Sequence, residues 1–254
     1  MLRSIAYAAL GTGFTFFMTT LGAAVVFFFS RSVQPKLEQT ILGFAAGVMT
    51  AASIWSLLLP SVDRAESLGI RPVWLPASFG LLFGAAFLVG MDYLVCRLRQ
   101  SYRNVPPSQR RTFLLSAAIV LHNIPEGMAV GLAFALAHGK DAIAAASALA
   151  IGIGIQNFPE GAAISLPLHQ EGKSRLKSFV FGILSGIVEP VFGIAVVLAA
   201  AGVRALMPWM LSFAAGAMLY VVVEELVPQA HSRSGTCGFI GGFLVMMVLD
   251  VALG

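Results

Sequence analysis

Residues 4–29 read SIAYAALGTGFTFFMTTLGAAVVFFF. From Ser4 to Phe29 that is 26 positions without a charge. About 20 mostly apolar residues suffice for a helix to cross the hydrocarbon core of a bilayer. The stretch follows Arg3 and so resembles a cleaved signal peptide, but the apolar part of such a peptide spans only about 7–15 residues. The run therefore reads as a retained transmembrane helix.

The rest of the chain repeats the pattern. Of 254 residues, 58% are hydrophobic and 11% charged, against about 25% charged in a soluble domain. Such a chain has too little polar surface to face water all round, so its remaining solvent is lipid. Eight apolar stretches are expected to span, roughly 5–29, 39–60, 74–96, 112–136, 142–168, 178–202, 206–228 and 236–253. Helices are required because each backbone polar group must be satisfied within its own segment, and the runs are too long for barrel strands. The expectation is an all-α integral membrane protein, one polytopic domain over 1–254. The net charge of +4 does not point to nucleic acid, because the basic residues fall in short gaps between apolar runs. Cys96 and Cys237 make no disulfide framework and read as buried or interfacial free thiols.

Charge orients the chain. The connections after spans one, three, five and seven hold eleven of the sixteen Lys and Arg, including Arg97, Arg99, Arg103, Arg110 and Arg111 in one loop. The positive-inside rule puts that side in the cytoplasm and both termini outside, as expected of a multi-pass protein of the cell membrane.

Two pairs of segments match in palindromic order. Leu42-Gly-Phe-Ala-Ala-Gly-Val-Met49 in span two, which ends at Pro60, resembles Leu211-Ser-Phe-Ala-Ala-Gly-Ala-Met218 in span seven, which ends at Pro228. His122-Asn-Ile-Pro-Glu-Gly127 in span four resembles Gln156-Asn-Phe-Pro-Glu-Gly161 in span five. The members of each pair run in opposite directions. They imply an inverted repeat, with spans 1–3 and 6–8 flanking the 4–5 pair, a device that places a site near the bilayer midplane.

Ionisable groups at that depth are costly and mark function. Glu126, Glu160 and Glu189 lie deep in spans four, five and six with no Lys or Arg at comparable depth, so a cation is the expected partner. His122 and Glu126 are four residues apart and share a helix face, with Asn123 beside them. Gln156, Asn157 and Glu160 repeat the arrangement on the next helix. Imidazole and carboxylate suit zinc and other first-row metals, and amide oxygens add harder ligands. Pro125 and Pro159 release the carbonyls of Leu121 and Ile155, and Pro190 releases that of Gly186. Gly43/Gly47, Gly80/Gly84, Gly127/Gly131 and Gly182/Gly186 read as helix packing. Met49 by itself reads as packing. Glu224 and Glu225 are placed near the inner end of span seven, Asp92 and Asp250 near span ends, and His138, His169 and His231 in loops.

The paired Pro-Glu-Gly motifs resemble those of the ZIP family of zinc- and iron-regulated transporters, the second most closely the GufA-type branch. The resemblance implies a metal path through spans two, four, five and six, and a binuclear site bridged by the glutamates of spans four and five. One ion would be held by Met49, His122, Glu126, Gln156 and Glu160, the other by Asn123, Glu126, Asn157, Glu160 and Glu189. It also implies a homodimer and alternating access by rigid-body movement of one helix bundle against another. Many members have histidine and aspartate where this chain has Gln156 and Asn157.

The expected function is transport of Zn2+, or of Cd2+, Fe2+ or Mn2+, toward the cytoplasm, with the metal as substrate and no catalytic cofactor. A passive metal channel would use the same residues. An intramembrane metalloenzyme would need a motif such as H-E-x-x-H, and neither that nor G-x-S-x-G occurs.

Overall fold

The computed structural model describes residues 2–28, 34–101, 107–137, 139–202 and 204–253; the side chains of Asp92, Cys96 and His122 and all of His138 lie outside what is described. Every regular element among the described residues is helical. In chain order these are α1 (Leu2–Ala24), α2 (Pro35–Ser67), α3 (Trp74–Ser101), α4 (Pro107–Leu136) and α5 (Lys140–Gln170). They continue with α6 (Arg175–Gly186 and Val188–Gly202), α7 (Met207–Ala230) and α8 (Arg233–Leu253). Seven are long and apolar enough to cross a membrane among the described residues, and α4 contributes the shorter apolar stretch Asn123–Leu136.

Local chemistry sets the helix ends. Pro35 opens α2, where its missing N–H is no loss. Gly139, at φ +103°, makes the sharp turn from α4 into α5, a conformation that L side chains rarely adopt. Ser174 caps α6 by accepting the Lys177 N–H at 3.3 Å.

Two helices run past the prolines expected to end them. α2 continues beyond Pro60 to Ser67, and α7 beyond Pro228 to Ala230. In each, the turn before the proline widens into a π-helix, Ser53–Leu58 and Val222–Leu226. Leu59 N–H donates five residues back to Ile54, and Val227 N–H likewise to Val222. This shift by one residue accommodates the missing proline donor without breaking the rod. Pro190 instead accompanies a break in α6 at Ile187.

The helices pack in two groups. α1, α4, α5 and α6 lie against one another, as do α2, α3, α7 and α8. The most extensive pairings are α2 with α8, α3 with α7, α1 with α5 and α4 with α6. Lipid is as apolar as leucine, so these pairings depend on close backbone approach rather than on escape from water. A Cβ on Gly43 or Gly47 would overlap the α8 backbone at Gly235 or Phe239, and one on Gly84 the α3–α7 partner Phe213. Likewise a Cβ on Gly161 would strike Thr19 of α1, and on Gly127 Glu189 of α6. Between the groups lies a core including Met49, Leu132, Leu149, Ile153, Leu211, Met218 and Met246. Leu10, Phe83, Leu184 and Val248 face outward, an apolar surface suited to lipid. Cys237, near the start of α8, is a free exposed thiol.

Replacing Gly47 with valine forces the α2–α8 backbones apart and is expected to cost at least about 1–3 kcal/mol, read as a lowered melting temperature in detergent. Gly13, with nothing within 4 Å of its would-be Cβ, serves as control: Gly13→Ala is expected to change stability by no more than about 0.5 kcal/mol.

Candidate metal centre

Pro125 and Pro159 lie inside α4 and α5. Around them the two helices bring together Asn123, Glu126, Gln156, Asn157 and Glu160, and the start of the second segment of α6 adds Glu189. None of these six is more than 6% exposed, and Met49 of α2 is buried too. His122 occupies α4 one turn before Glu126.

The hydrogen bonds fix which way each amide points. Gln156 Nε2 donates to Glu126 Oε1 at 2.5 Å. Asn157 Nδ2 donates to Glu189 Oε2 at 2.9 Å. Asn123 Nδ2 donates to the Ser185 carbonyl at 2.9 Å. The Ser185 carbonyl only accepts, and so does an ionised carboxylate; with Glu126 and Glu189 ionised, the nitrogen of each amide faces them and the oxygen faces away. Asn123 Oδ1, Gln156 Oε1 and Asn157 Oδ1 are then buried without a hydrogen-bond partner, and so is Glu126 Oε2.

Those four atoms are all acceptors. A buried acceptor without a donor costs about 1–3 kcal/mol, more when charged, so a group of four calls for a positive ligand. The Arg71–Glu66 ion pair is exposed at the end of α2 and its loop. No three His, Cys, Asp or Glu side chains among the described residues form a metal cage by themselves. Carboxylate and amide oxygens suit a divalent cation.

Other candidates lie elsewhere. Glu224 is exposed and Glu225 half-buried in the π turn of α7. His169 belongs to the last turn of α5 rather than to a loop, because that helix runs to Gln170; its Nδ1 is 2.9 Å from the Lys173 carbonyl. His231 is exposed just after α7. Asp250 does not reach the interface freely, since Ser56 of the α2 π turn donates to its Oδ1 at 2.6 Å.

Sequence reasoning missed two participants. Thr19 of α1 donates to Glu189 Oε1 at 3.2 Å, and Ser185 offers its carbonyl to Asn123. The signal for the first was present: Thr12, Thr15 and Thr19 recur at helical spacing in the otherwise apolar first span, and all three are fully buried.

The family described as ZIP Zinc transporter matches residues 96–250. The chain is similar to "Zinc transporter ZIP11" of Homo sapiens, at 36% identity covering 99% of this chain and 98% of that one. It is similar to "Zinc transporter ZIPB" of Bordetella bronchiseptica, at 34% identity covering 98% and 82%. It is also similar to "Zinc transporter GufA" of Myxococcus xanthus, at 34% identity covering 93% and 94%.

The crowding of Glu126, Glu160 and Glu189 in one buried site works against the metal-free fold. Glu126→Gln is expected to melt above the parent in chelator. Zn2+ at a hundred times its dissociation constant is expected to stabilise the parent by about 2.7 kcal/mol and to leave that variant unchanged, both read from thermal unfolding curves.

Proposed function

The chain belongs to the ZIP zinc-transporter family, and we propose that it moves Zn2+ and related divalent cations toward the cytoplasm through the centre between α4 and α5. Members of this family are transporters, so the protein is a multi-pass membrane transporter and not an enzyme. The observation that carries the substrate assignment is the group of four orphaned acceptor oxygens in a buried site. Zinc follows from the printed names of the relatives and from the carboxylate and histidine positions.

The path is proposed to run through eight spans, α4 included: its 30 residues extend about 45 Å at 1.5 Å per residue. Both termini are placed outside by the basic loops. An inverted repeat is supported by the packing. Exchanging α1 with α6, α2 with α7, α3 with α8 and α4 with α5 turns the α2–α8 seam into α7–α3, and α1–α5 into α6–α4. The matched π turns before Pro60 and Pro228 obey the same exchange.

The two helix groups suggest how access alternates. The oxygen ligands belong to the α1/α4/α5/α6 group, whereas Met49 belongs to the other. Where the groups meet, the Gly152 position of α5 lies against Met246 of α8 and Val48 of α2, a flexible apolar contact across which one group can slide. A shift of the first group carries its oxygens away from Met49 and exposes the ion to the opposite face.

Proteoliposomes loaded with a zinc-sensitive dye test this. Saturable Zn2+ influx is expected from the parent, lost in Glu126→Ala and Glu160→Ala, with Cd2+, Mn2+ and Fe2+ competing. Non-saturating flux would favour the channel reading. No influx from folded, metal-binding protein would overturn transport through this centre.

A further inference from the structure

Where α3, α4 and α7 meet, a groove of about 180 Å3 opens on the outside of the helix bundle. Gly80 and Phe83 of α3, Met128 of α4, and Trp209, Met210 and Phe213 of α7 line it, and no polar atom faces into it. Roughly 150 Å3 of apolar cavity is enough to hold a benzene-sized group, and such a cavity stays free of water. None of the six lining residues belongs to the metal centre.

The sequence builds the groove from both helix groups. Gly80 lets α3 lie directly on α7, since a Cβ there would overlap Ser212 and crowd the Trp209 carbonyl. The Ser212 hydroxyl ties the same seam by donating to the Pro76 carbonyl at 2.8 Å. Phe213 is braced by Phe87, with ring centroids 5.5 Å apart, and Phe83 lies beside Phe79 at 6.4 Å. Floor and one wall are thus fixed within the α2/α3/α7/α8 group. Met128 supplies the other wall from the α1/α4/α5/α6 group, and its unbranched thioether chain, like that of Met210, adapts to what enters.

Depth and surroundings identify the occupant. Trp74 opens α3 and is 58% exposed, as befits a tryptophan at the level of lipid headgroups. Gly80 lies six residues further along that helix, about 9 Å deeper at 1.5 Å per residue, among the acyl chains. Phe83 is 56% exposed, so the groove is continuous with the lipid-facing surface of α3.

We propose that the groove is a binding site for one acyl chain of an outer-leaflet phospholipid, seated across the boundary between the two helix groups. The leaflet follows from the placement of the starts of α3 and α7 on the outer side. An unfilled void forfeits the dispersion contacts of its walls, and a hydrocarbon chain restores them. The chain touches α4 on one side and α3 and α7 on the other, so it adds a contact that sliding between the groups has to break.

Trp209 is a built-in reporter. The full chain carrying Trp55→Phe and Trp74→Phe keeps Trp209 as its sole tryptophan. It is titrated in detergent micelles with phosphatidylcholine brominated along its acyl chains. Saturable quenching of Trp209 is expected. Native mass spectrometry of the unaltered chain, washed in detergent, is expected to find one retained phospholipid. Met128→Phe fills the groove and is expected to lose both the saturable quenching and the retained lipid, whereas Leu184→Phe, on the lipid-facing surface of α6, keeps both. Quenching that rises only linearly with lipid, no lipid retained by the unaltered chain, or equal quenching in the two folded variants would overturn the proposal. So would a Trp209 that is shielded in a dimer and reached only in the monomer, which would give the groove to a second copy of the chain. The unaltered chain is read without any filled variant, so misfolding of Met128→Phe leaves the test intact. Neither measurement reads metal or flux: failure here leaves transport through the α4–α5 centre standing, and failure of transport leaves this site standing.

Discussion

Hydrocarbon offers no hydrogen bonds, so a polar group placed in it must find its partner within the protein. At the centre of this chain the requirement is met for three amide nitrogens and left unmet for three amide oxygens and one carboxylate oxygen. Every nitrogen is committed to an acceptor on a neighbouring helix, and the polarity of the site follows. Had any one amide been free to turn, it could have presented N–H groups and repelled a cation. The carbonyl of Ser185 and the carboxylates of Glu126 and Glu189 act less as decoration than as the parts that fix the sign of the cavity.

That arrangement demands helices closer together than ordinary side chains allow. The glycines of the paired Pro-Glu-Gly motifs supply the approach on both sides: Gly127 seats α4 on α6, and Gly161 seats α5 on α1. Glycines 43, 47 and 84 do the same for the second helix group. Between the groups the Gly152 position of α5 meets Met246 of α8 and Val48 of α2 rather than a glycine-seated backbone.

The sequence revealed most of the spans because runs without charge have few readings in a chain with 11% charged residues. It singled out the polar residues that α4, α5 and α6 bury together because carboxylates beside proline and glycine in such runs are rarely tolerated without function. The ends of α2 and α7 were misjudged: a π turn that lets a helix pass a proline leaves no mark in composition, and Pro60 and Pro228 read as stops. His169 was assigned to a loop because α5 ends only where Gly172, at φ +91°, can turn. The Thr19–Glu189 bond joins residues 170 positions apart and Ser56–Asp250 joins residues 194 apart. No local pattern contains such pairs, and a threonine in a membrane helix usually bonds its own preceding turn, as Thr12 does.

Transport also limits how tightly the ion is held. A carboxylate about 4 Å from a divalent cation contributes on the order of 8 kcal/mol at an effective dielectric of about 20. Desolvation offsets part of that, yet every 1.4 kcal/mol retained is about tenfold in affinity. Each further carboxylate on the ion would therefore deepen the well by decades and slow release. Amide oxygens offer a cation a partner without adding charge. A site that must both select and let go is better served by mixed carboxylate and amide oxygens than by carboxylates alone.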